Sequence, residues 1–290
     1  MSSLIDLVVA PLSYEFMQRG LLASLIVGVL CAVVGCYVVL RGMAFLGDAV
    51  AHAILPGVAI AYLVKGDLMV GALVAAILVA LGIGFFSSRG QIKEDAAIGI
   101  VFAAALALGV ALMSAVRTYS TDLTHVLFGN VLGVGPRDLW VIGVLGALVL
   151  ATILLLYKEF LITTFDPTLA ATLHLPTNLL RNVMLVLLAL TVVVSLQTVG
   201  VGLVAAMLVT PPATAYLLTR RLAAMMVVAA IIGAVSAVGG LYISFYVNVA
   251  SGAAVVLFCT VCFVLVYLFA PERGIAWGLA RRGRVSVAKG

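Results

Sequence analysis

The stretch from Arg41 to Gly57 decides how this chain is interpreted; it reads Arg-Gly-Met-Ala-Phe-Leu-Gly-Asp-Ala-Val-Ala-His-Ala-Ile-Leu-Pro-Gly. Asp48 and His52 are four residues apart, so on a helix they lie on one face, one turn apart. Pro56 lacks an amide hydrogen, which predicts a free carbonyl at His52, four residues earlier. A carboxylate, an imidazole and a carbonyl together suit a divalent cation. Taken alone, the Asp-x3-His spacing is a weak signal, and it favours a helix start capped by Asp48, with His52 paired inside a packed bundle.

The composition of the chain places this stretch in a membrane. Hydrophobic residues make up 65% of the 290 residues and charged residues only 9%, whereas about a quarter of the residues in soluble proteins are charged. The composition predicts an all-α, polytopic transmembrane bundle in the lipid bilayer. An ionisable residue inside hydrocarbon is costly and usually functional, which favours the cation-site interpretation of Asp48 and His52.

Nine apolar segments have the length that a bilayer requires, roughly 16 to 25 residues each. We place them at 20–40, 49–64, 68–86, 96–116, 138–157, 182–200, 203–219, 224–247 and 252–270. This divides the chain into an interfacial amphipathic segment (1–19), a transmembrane domain (20–270) and a cytoplasmic tail (271–290). Eight spans result if one short segment is fused or dropped.

The basic residues predict the orientation of the spans. With the amino terminus outside, twelve of the sixteen lysines and arginines fall on the cytoplasmic side, as the positive-inside tendency requires. An eight-span arrangement spoils this alternation. The positive charges therefore report topology, and they do not indicate nucleic-acid binding.

Two loops carry patterns of their own. In the inner loop, 158–181, Asp166 and Pro167 form a helix start and Pro176 a stop, which predicts a short apolar helix from Asp166 to Leu175 that needs a protein partner. In the outer loop, 117–137, Asp122 and His125 are interpreted as caps, and whether they touch an ion stays open.

Further proline and glycine positions predict a pathway or hinge inside the bundle. Pro211 and Pro212 interrupt the seventh segment and release two carbonyls. Pro56 and Gly57 interrupt the second. Gln197 is an uncharged polar residue that we expect inside the bundle, as a helix contact or cavity wall.

Several catalytic classes are disfavoured by missing motifs. No lysine follows a glycine, so the sequence has no nucleotide-binding P-loop, and it contains neither His-Glu-x-x-His nor Gly-x-Ser-x-Gly. We therefore expect no enzyme activity from this chain, no cofactor bound by it, and energy supplied by a partner.

The Arg41–Gly57 stretch resembles the hallmark segment of permease subunits of bacterial ABC importers for manganese, zinc and iron(II). Further matching motifs begin at Glu94, Leu127, Phe165, Ser195 and Pro211 and cover nearly the whole chain: Glu-Asp-Ala-Ala-Ile-Gly, Leu-Phe-Gly-Asn, Phe-Asp-Pro, Ser-Leu-Gln-Thr-Val-Gly and Pro-Pro-Ala-Thr-Ala.

The resemblance implies a type II importer in the bacterial inner membrane. Its parts are a homodimer of this chain, two cytoplasmic ATPase subunits that bind ATP, and an external metal-binding protein. Asp48 and His52 would coordinate the transported metal ion. The inner loop would act as a coupling helix, with Phe165, Asp166, Pro167, Leu169, Leu173 and His174 as its ATPase contacts. His174 departs from the pattern, which has a glycine there.

Two other functions remain open at this stage. An ion-coupled secondary carrier would also hold Asp48 and His52 in the membrane, but it needs no coupling helix. A type II permease for haem, siderophore or cobalamin shares the architecture but has no use for a small Asp and His site. The ligands suit manganese, zinc and iron(II) alike, so the metal stays undetermined.

Overall fold

The computed structural model describes residues 10–88, 93–114 and 133–270; for Ser88, 197–199 and 201–203 it describes the backbone alone. These residues form twelve α-helices. In chain order they are α1 (Glu15–Leu40), α2 (Leu46–Ala53), α3 (Leu55–Leu63), α4 (Leu68–Ser88), α5 (Glu94–Ser114), α6 (Pro136–Leu155), α7 (Tyr157–Phe165), α8 (Pro167–Thr172), α9 (Thr177–Val199), α10 (Val201–Leu218), α11 (Leu222–Val247) and α12 (Ser251–Phe269).

The predicted membrane segments coincide with these helices. Within the described ranges, eight stretches are long and apolar enough to span a bilayer, and α2 with α3 counts as one of them, Leu46–Leu63. The predicted segment 203–219 corresponds to α10, whose apolar part, Val204–Leu218, is shorter than the other spans. The polytopic helical bundle is confirmed, with eight full-length spans and this shorter ninth helix.

Helix α1 is the centre of the bundle. It packs against α6, α9, α10 and α11, and an unbroken run of buried residues extends from Leu30 to Val38 near its carboxyl end. The helix begins at Glu15 with a Glu15–Arg19 ion pair. Residues 15–19 are thus continuous with the first span, and the interfacial position predicted for 1–19 stays a prediction.

Glycines allow the closest helix crossings, as they commonly do between membrane helices. At the crossing of α1 and α11, a Cβ added to Gly28 would lie 2.8 Å from the carbonyl oxygen of Gly233. At the crossing of α1 and α10, a Cβ on Gly35 would overlap the carbonyl oxygen of Leu208, which Pro212 leaves without its helical donor. The carbonyl that Pro212 releases therefore lies against α1.

The inner loop contains more helix than the sequence predicted. Helix α7, which was not predicted, buries Phe160 against Tyr37 of α1, with the ring centroids 5.7 Å apart. Helix α8 begins as expected at Pro167, but it ends at Thr172 and not at Leu175. The amides of His174 and Leu175 donate to the carbonyls of Ala171 and Ala170, which closes the helix before Pro176 is reached.

Candidate metal pathway and coupling helix

Asp48 and His52 lie together on α2, as their spacing predicted. The imidazole Nε2 of His52 is 3.6 Å from Oδ1 of Asp48, with 34% of the His52 side chain and 47% of the Asp48 side chain exposed. The six other residues of this helix are buried. One side of α2 is therefore packed into the bundle, while the carboxylate and the imidazole share the side that is left open.

The break after His52 has the local cause that the sequence indicated. Helix α2 ends at Ala53, Ile54 forms a turn, and Pro56 lies in the first turn of α3, where a missing amide hydrogen is tolerated. The amide of Ile54 lies near the His52 carbonyl, and Pro56 leaves this carbonyl without its usual helical donor. The candidate site at this break depends on the side chains of Asp48 and His52.

Helix α5 forms the opposite wall of the site. Its Phe102 ring lies beside the His52 ring, with centroids 6.4 Å apart. Further along, Gly109 allows α5 to approach the break, since a Cβ there would lie 3.1 Å from Cδ of Pro56. The imidazole is thus held between its own carboxylate partner and an aromatic face.

A cavity of about 450 Å³ opens beside Asp48. It is lined from the α1–α2 connection by Gly42 and Met43, and from the first turns of α5 by Asp95 and Phe102. Asp95 lines this cavity but was not among the site residues predicted from the sequence. The available signal was the acidic pair Glu94-Asp95 at the start of an apolar span, although nothing in the sequence showed which helix it would face.

In the part of the chain that the structure describes, Asp48 and His52 do not complete a metal site by themselves. No group of three or more histidine, cysteine, aspartate or glutamate residues within 10–88, 93–114 and 133–270 is arranged to hold a metal ion. Asp48 and His52 can therefore offer two strong ligands, and an ion between them needs further ligands from water or from another chain.

The structure locates the predicted hinge residues without testing their motion. Gly57 lies at a tight crossing of α3 with α4, where a methyl group would overlap the carbonyl of Gly71. Pro211 and Pro212 are buried within α10, which continues through them. The side chain of Gln197 is not described, and Asp122 and His125 lie outside the described residues.

The segment predicted to be the coupling helix forms a short helix with exposed leucines. The Asp166 carboxylate caps it by accepting the amide of Leu169 at 2.9 Å. Leu169 and Leu173 are 47% and 54% exposed, Phe165 is 61% exposed, and Ala170 is fully buried. The helix contacts α7 and α9, and α9 in turn contacts α2. The candidate ion pair and the coupling helix are thus separate features of one continuous bundle.

His174 occupies the position at which helices commonly end with glycine. Its φ is +56°, in the left-handed region. The hydrogen bonds from the amides of His174 and Leu175 to the carbonyls of Ala171 and Ala170 form a Schellman motif. The glycine expected here from the resemblance thus has a conformational reason, and His174 adopts the same backbone at a steric cost.

Comparisons with known proteins agree with these features. The model of the ABC 3 transport family matches residues 13–270. The manganese transport system membrane protein MntC of Halalkalibacterium halodurans is 47% identical over 264 residues, which cover 91% of this chain and 90% of that protein. A probable iron transport system membrane protein of Haemophilus influenzae is 40% identical over 268 residues, covering 92% and 98%.

A solved structure extends the match to three dimensions. The structure of PsaBC from Streptococcus pneumoniae in complex with Fab matches with a TM-score of 0.82 and 38% sequence identity, covering 93% of this chain and 97% of that chain. Together with the eight membrane-length helices of the described ranges, these matches show that the chain is a multi-pass protein of the bacterial inner membrane and belongs to the ABC 3 transport family.

Proposed function

We propose that this chain is the permease subunit of an ATP-driven importer that moves a divalent transition metal ion across the inner membrane. The observation that carries the proposal is the Asp48–His52 pair, 3.6 Å apart and partly exposed on a membrane helix that breaks after it. The relatives described above, a manganese transport protein and a probable iron transport protein, support a metal as the transported substrate.

The charge and donor types of the pair suit such a substrate. A carboxylate and an imidazole bind manganese, iron(II) and zinc, while large organic cargo such as haem or a siderophore has no need of them. A partly exposed carboxylate and imidazole in a membrane helix are unfavourable against lipid. They therefore face water, the ion or another protein chain.

A second copy of the chain is the partner that best completes the pathway. Each copy brings two strong ligands and an open face on α2, so two copies around one axis bring four ligands to a shared path. Weak, multi-site holding of this kind lets an ion enter and leave. We accordingly propose a homodimer.

The energy for import comes, in this proposal, from a separate ATPase subunit that docks on α8. Leu169 and Leu173, one helical turn apart, present an apolar surface outside any membrane span. An external metal-binding protein delivers the ion to the opposite face. This chain itself binds the ion only in passage and holds no resident cofactor.

Elemental analysis of cells with and without the gene, under limitation for manganese, zinc and iron in turn, tests the substrate. Loss of one metal from the deletion strain, restored by the wild-type gene but not by Asp48→Asn or His52→Ala, is the expected result. Asp138→Asn is a matched control, because this carboxylate caps the Gly135 amide at the start of α6 and asparagine keeps an acceptor there. Unchanged contents of all three metals in the deletion strain would contradict the proposal.

A further inference from the structure

A polar cavity of about 430 Å³ lies at the junction of α7 with α8, next to the residues that line the cavity beside Asp48. The end of α1, the first turn of α5, the junction of α7 with α8, and the first turns of α9 all contribute to its wall. Its charged and hydrogen-bonding side chains include Arg41, Glu94, Thr163, Thr164, Asn178 and Arg181.

Arg41 contacts the end of helix α7 through two long hydrogen bonds. Its Nε donates to Oγ1 of Thr164 and its Nη2 to Oγ1 of Thr163, both at 3.4 Å. These distances are beyond the usual range for N–H···O bonds, so the bonds are weak. Both threonines lie in the last turn of α7, two and three residues before Asp166, which caps α8.

Glu94 faces the same cavity with an unused acceptor. Its Oε1 is buried and has no hydrogen-bond partner in the described part of the chain. Burial lowers the pKa of Arg41, Glu94 raises it and Arg181 lowers it, so the three groups interact electrostatically. Arg41 and Glu94 nevertheless form no direct ion pair. A buried carboxylate oxygen without a partner is unfavourable, and the guanidinium of Arg41 is a nearby group able to satisfy it.

Arg181 also lines this cavity, and its Nε is buried without a hydrogen-bond partner, but the rest of its guanidinium has more contacts than that of Arg41. Its guanidinium donates to the carbonyls of Gly84 and Ser87, to the Ser87 hydroxyl and to Asn178, at 3.3 to 3.5 Å. These contacts, which are as long as those of Arg41, join Arg181 to α4 and to the first turn of α9. Arg41, by contrast, contacts two hydroxyls on one side and has an unsatisfied carboxylate on the other.

The neighbours of Arg41 and Glu94 in the chain line the cavity beside Asp48. Gly42 follows Arg41 and Asp95 follows Glu94, and both line the cavity that contains Asp48. The pairs Arg41–Gly42 and Glu94–Asp95 therefore separate the polar cavity from the cavity beside Asp48, which we call the ion cavity. A movement of Arg41 towards Glu94 would draw Gly42 and Asp95 together.

We propose that Arg41 is a positioning residue that transmits the position of α8 to the cavity beside Asp48. It does so by exchanging its contacts with the Thr163 and Thr164 hydroxyls for a contact with the Glu94 carboxylate. When α7 and α8 shift with the ATPase, the weak threonine contacts break and the Arg41–Glu94 pair forms. The mouth of the ion cavity between Gly42 and Asp95 then narrows. This inference rests on the proposed function, because it assumes that α8 couples to an ATPase and that the ion passes Asp48.

The experiment compares metal ions imported per ATP hydrolysed by the complete reconstituted transporter, with manganese, zinc or iron(II) as the probe. We expect Arg41→Gln and Glu94→Gln each to lower this ratio at least tenfold while ATP hydrolysis continues. The double variant should be no worse than either single one, since the two residues act as one unit. Arg41→Lys keeps the charge and should recover part of the ratio.

Thr164 provides a test that removes no charge. Thr164→Val deletes the hydroxyl that accepts from Arg41 at nearly constant volume, and Thr164→Ser keeps it. We expect a lower import ratio from the valine variant alone. Wild-type ratios in Arg41→Gln and Glu94→Gln, or single effects that multiply in the double variant, would overturn the inference and leave the proposed function standing. A wild-type complex that imports none of the three metals would overturn the proposed function itself.

Discussion

A charged residue on the coupling helix should release the ATPase subunit from this chain. We consider Leu173→Glu, at a residue that is 54% exposed and forms the C-cap of the short helix α8, with Leu169→Glu as its neighbour one turn away. Full burial of a leucine contributes about 1.5 to 3 kcal/mol. Since about half of each side chain is still exposed, docking of the partner can gain about 1 kcal/mol from each leucine.

The two kinds of substitution then differ in size. Truncation of Leu173 to alanine should weaken the complex about fivefold, because 1.4 kcal/mol corresponds to a factor of ten. A buried, unpaired glutamate costs about 3 to 5 kcal/mol, which weakens the complex by more than about a hundredfold. Leu173→Met, an apolar change of similar volume, should keep most of the affinity.

Co-purification of the ATPase subunit with the tagged permease in detergent measures this order directly. We expect full recovery of the ATPase with Leu173→Met, partial recovery with Leu173→Ala, and loss with Leu173→Glu, while the amount of folded permease stays constant. Full recovery of the ATPase with both glutamate variants would show that α8 is not the docking element.

Three further predictions follow from the backbone and the packing. His174→Gly removes a left-handed strain of about 1 to 2 kcal/mol, which is larger than the conformational entropy cost of glycine, about 0.5 to 1 kcal/mol. Hydrogen exchange at the end of α8 should therefore slow, and faster exchange would contradict this. Gly57→Ala should lower the melting temperature, because its methyl group overlaps the α4 backbone and overpacking costs about 1 to 3 kcal/mol. Gly143→Ala, whose methyl group meets nothing within 4 Å, should leave the melting temperature unchanged. A Gly57→Ala variant that is stable but does not transport would favour a hinge at Gly57. A cysteine at Lys65 should react with a membrane-impermeant reagent only from outside, and a cysteine at Thr168 only from the cytoplasm. Labelling of both cysteines from one side would refute the predicted orientation.

Local chemistry is the part of this structure that the sequence predicted well. The Asp166 cap, the proline in the first turn of α8 and the pairing of Asp48 with His52 all depend on residues within four positions of one another. Such features follow from helix geometry alone. The membrane spans were predicted for a similar reason, since their length and composition are visible without any knowledge of the neighbouring helices.

Features that depend on backbone conformation or on distant neighbours were missed. The end of α8 is set by the left-handed turn at His174, which histidine residues rarely adopt, so Pro176 looked like the stop signal. Helix α7 mixes charged and apolar residues and was interpreted as loop. Asp95 is 47 positions from Asp48 in the chain, and only the packing of α5 against α2 brings it to the same cavity.

The central claim is that a divalent metal ion passes Asp48 and His52 at the expense of ATP. Metal influx into proteoliposomes that contain this chain, its ATPase subunit and the external binding protein tests the claim most directly. We predict ATP-dependent influx of manganese, zinc or iron(II) with the wild-type chain, and a decrease of at least about tenfold with Asp48→Asn or His52→Ala, as is typical when metal-site residues are changed. Influx that proceeds without ATP, or wild-type influx through both variants, would contradict the account.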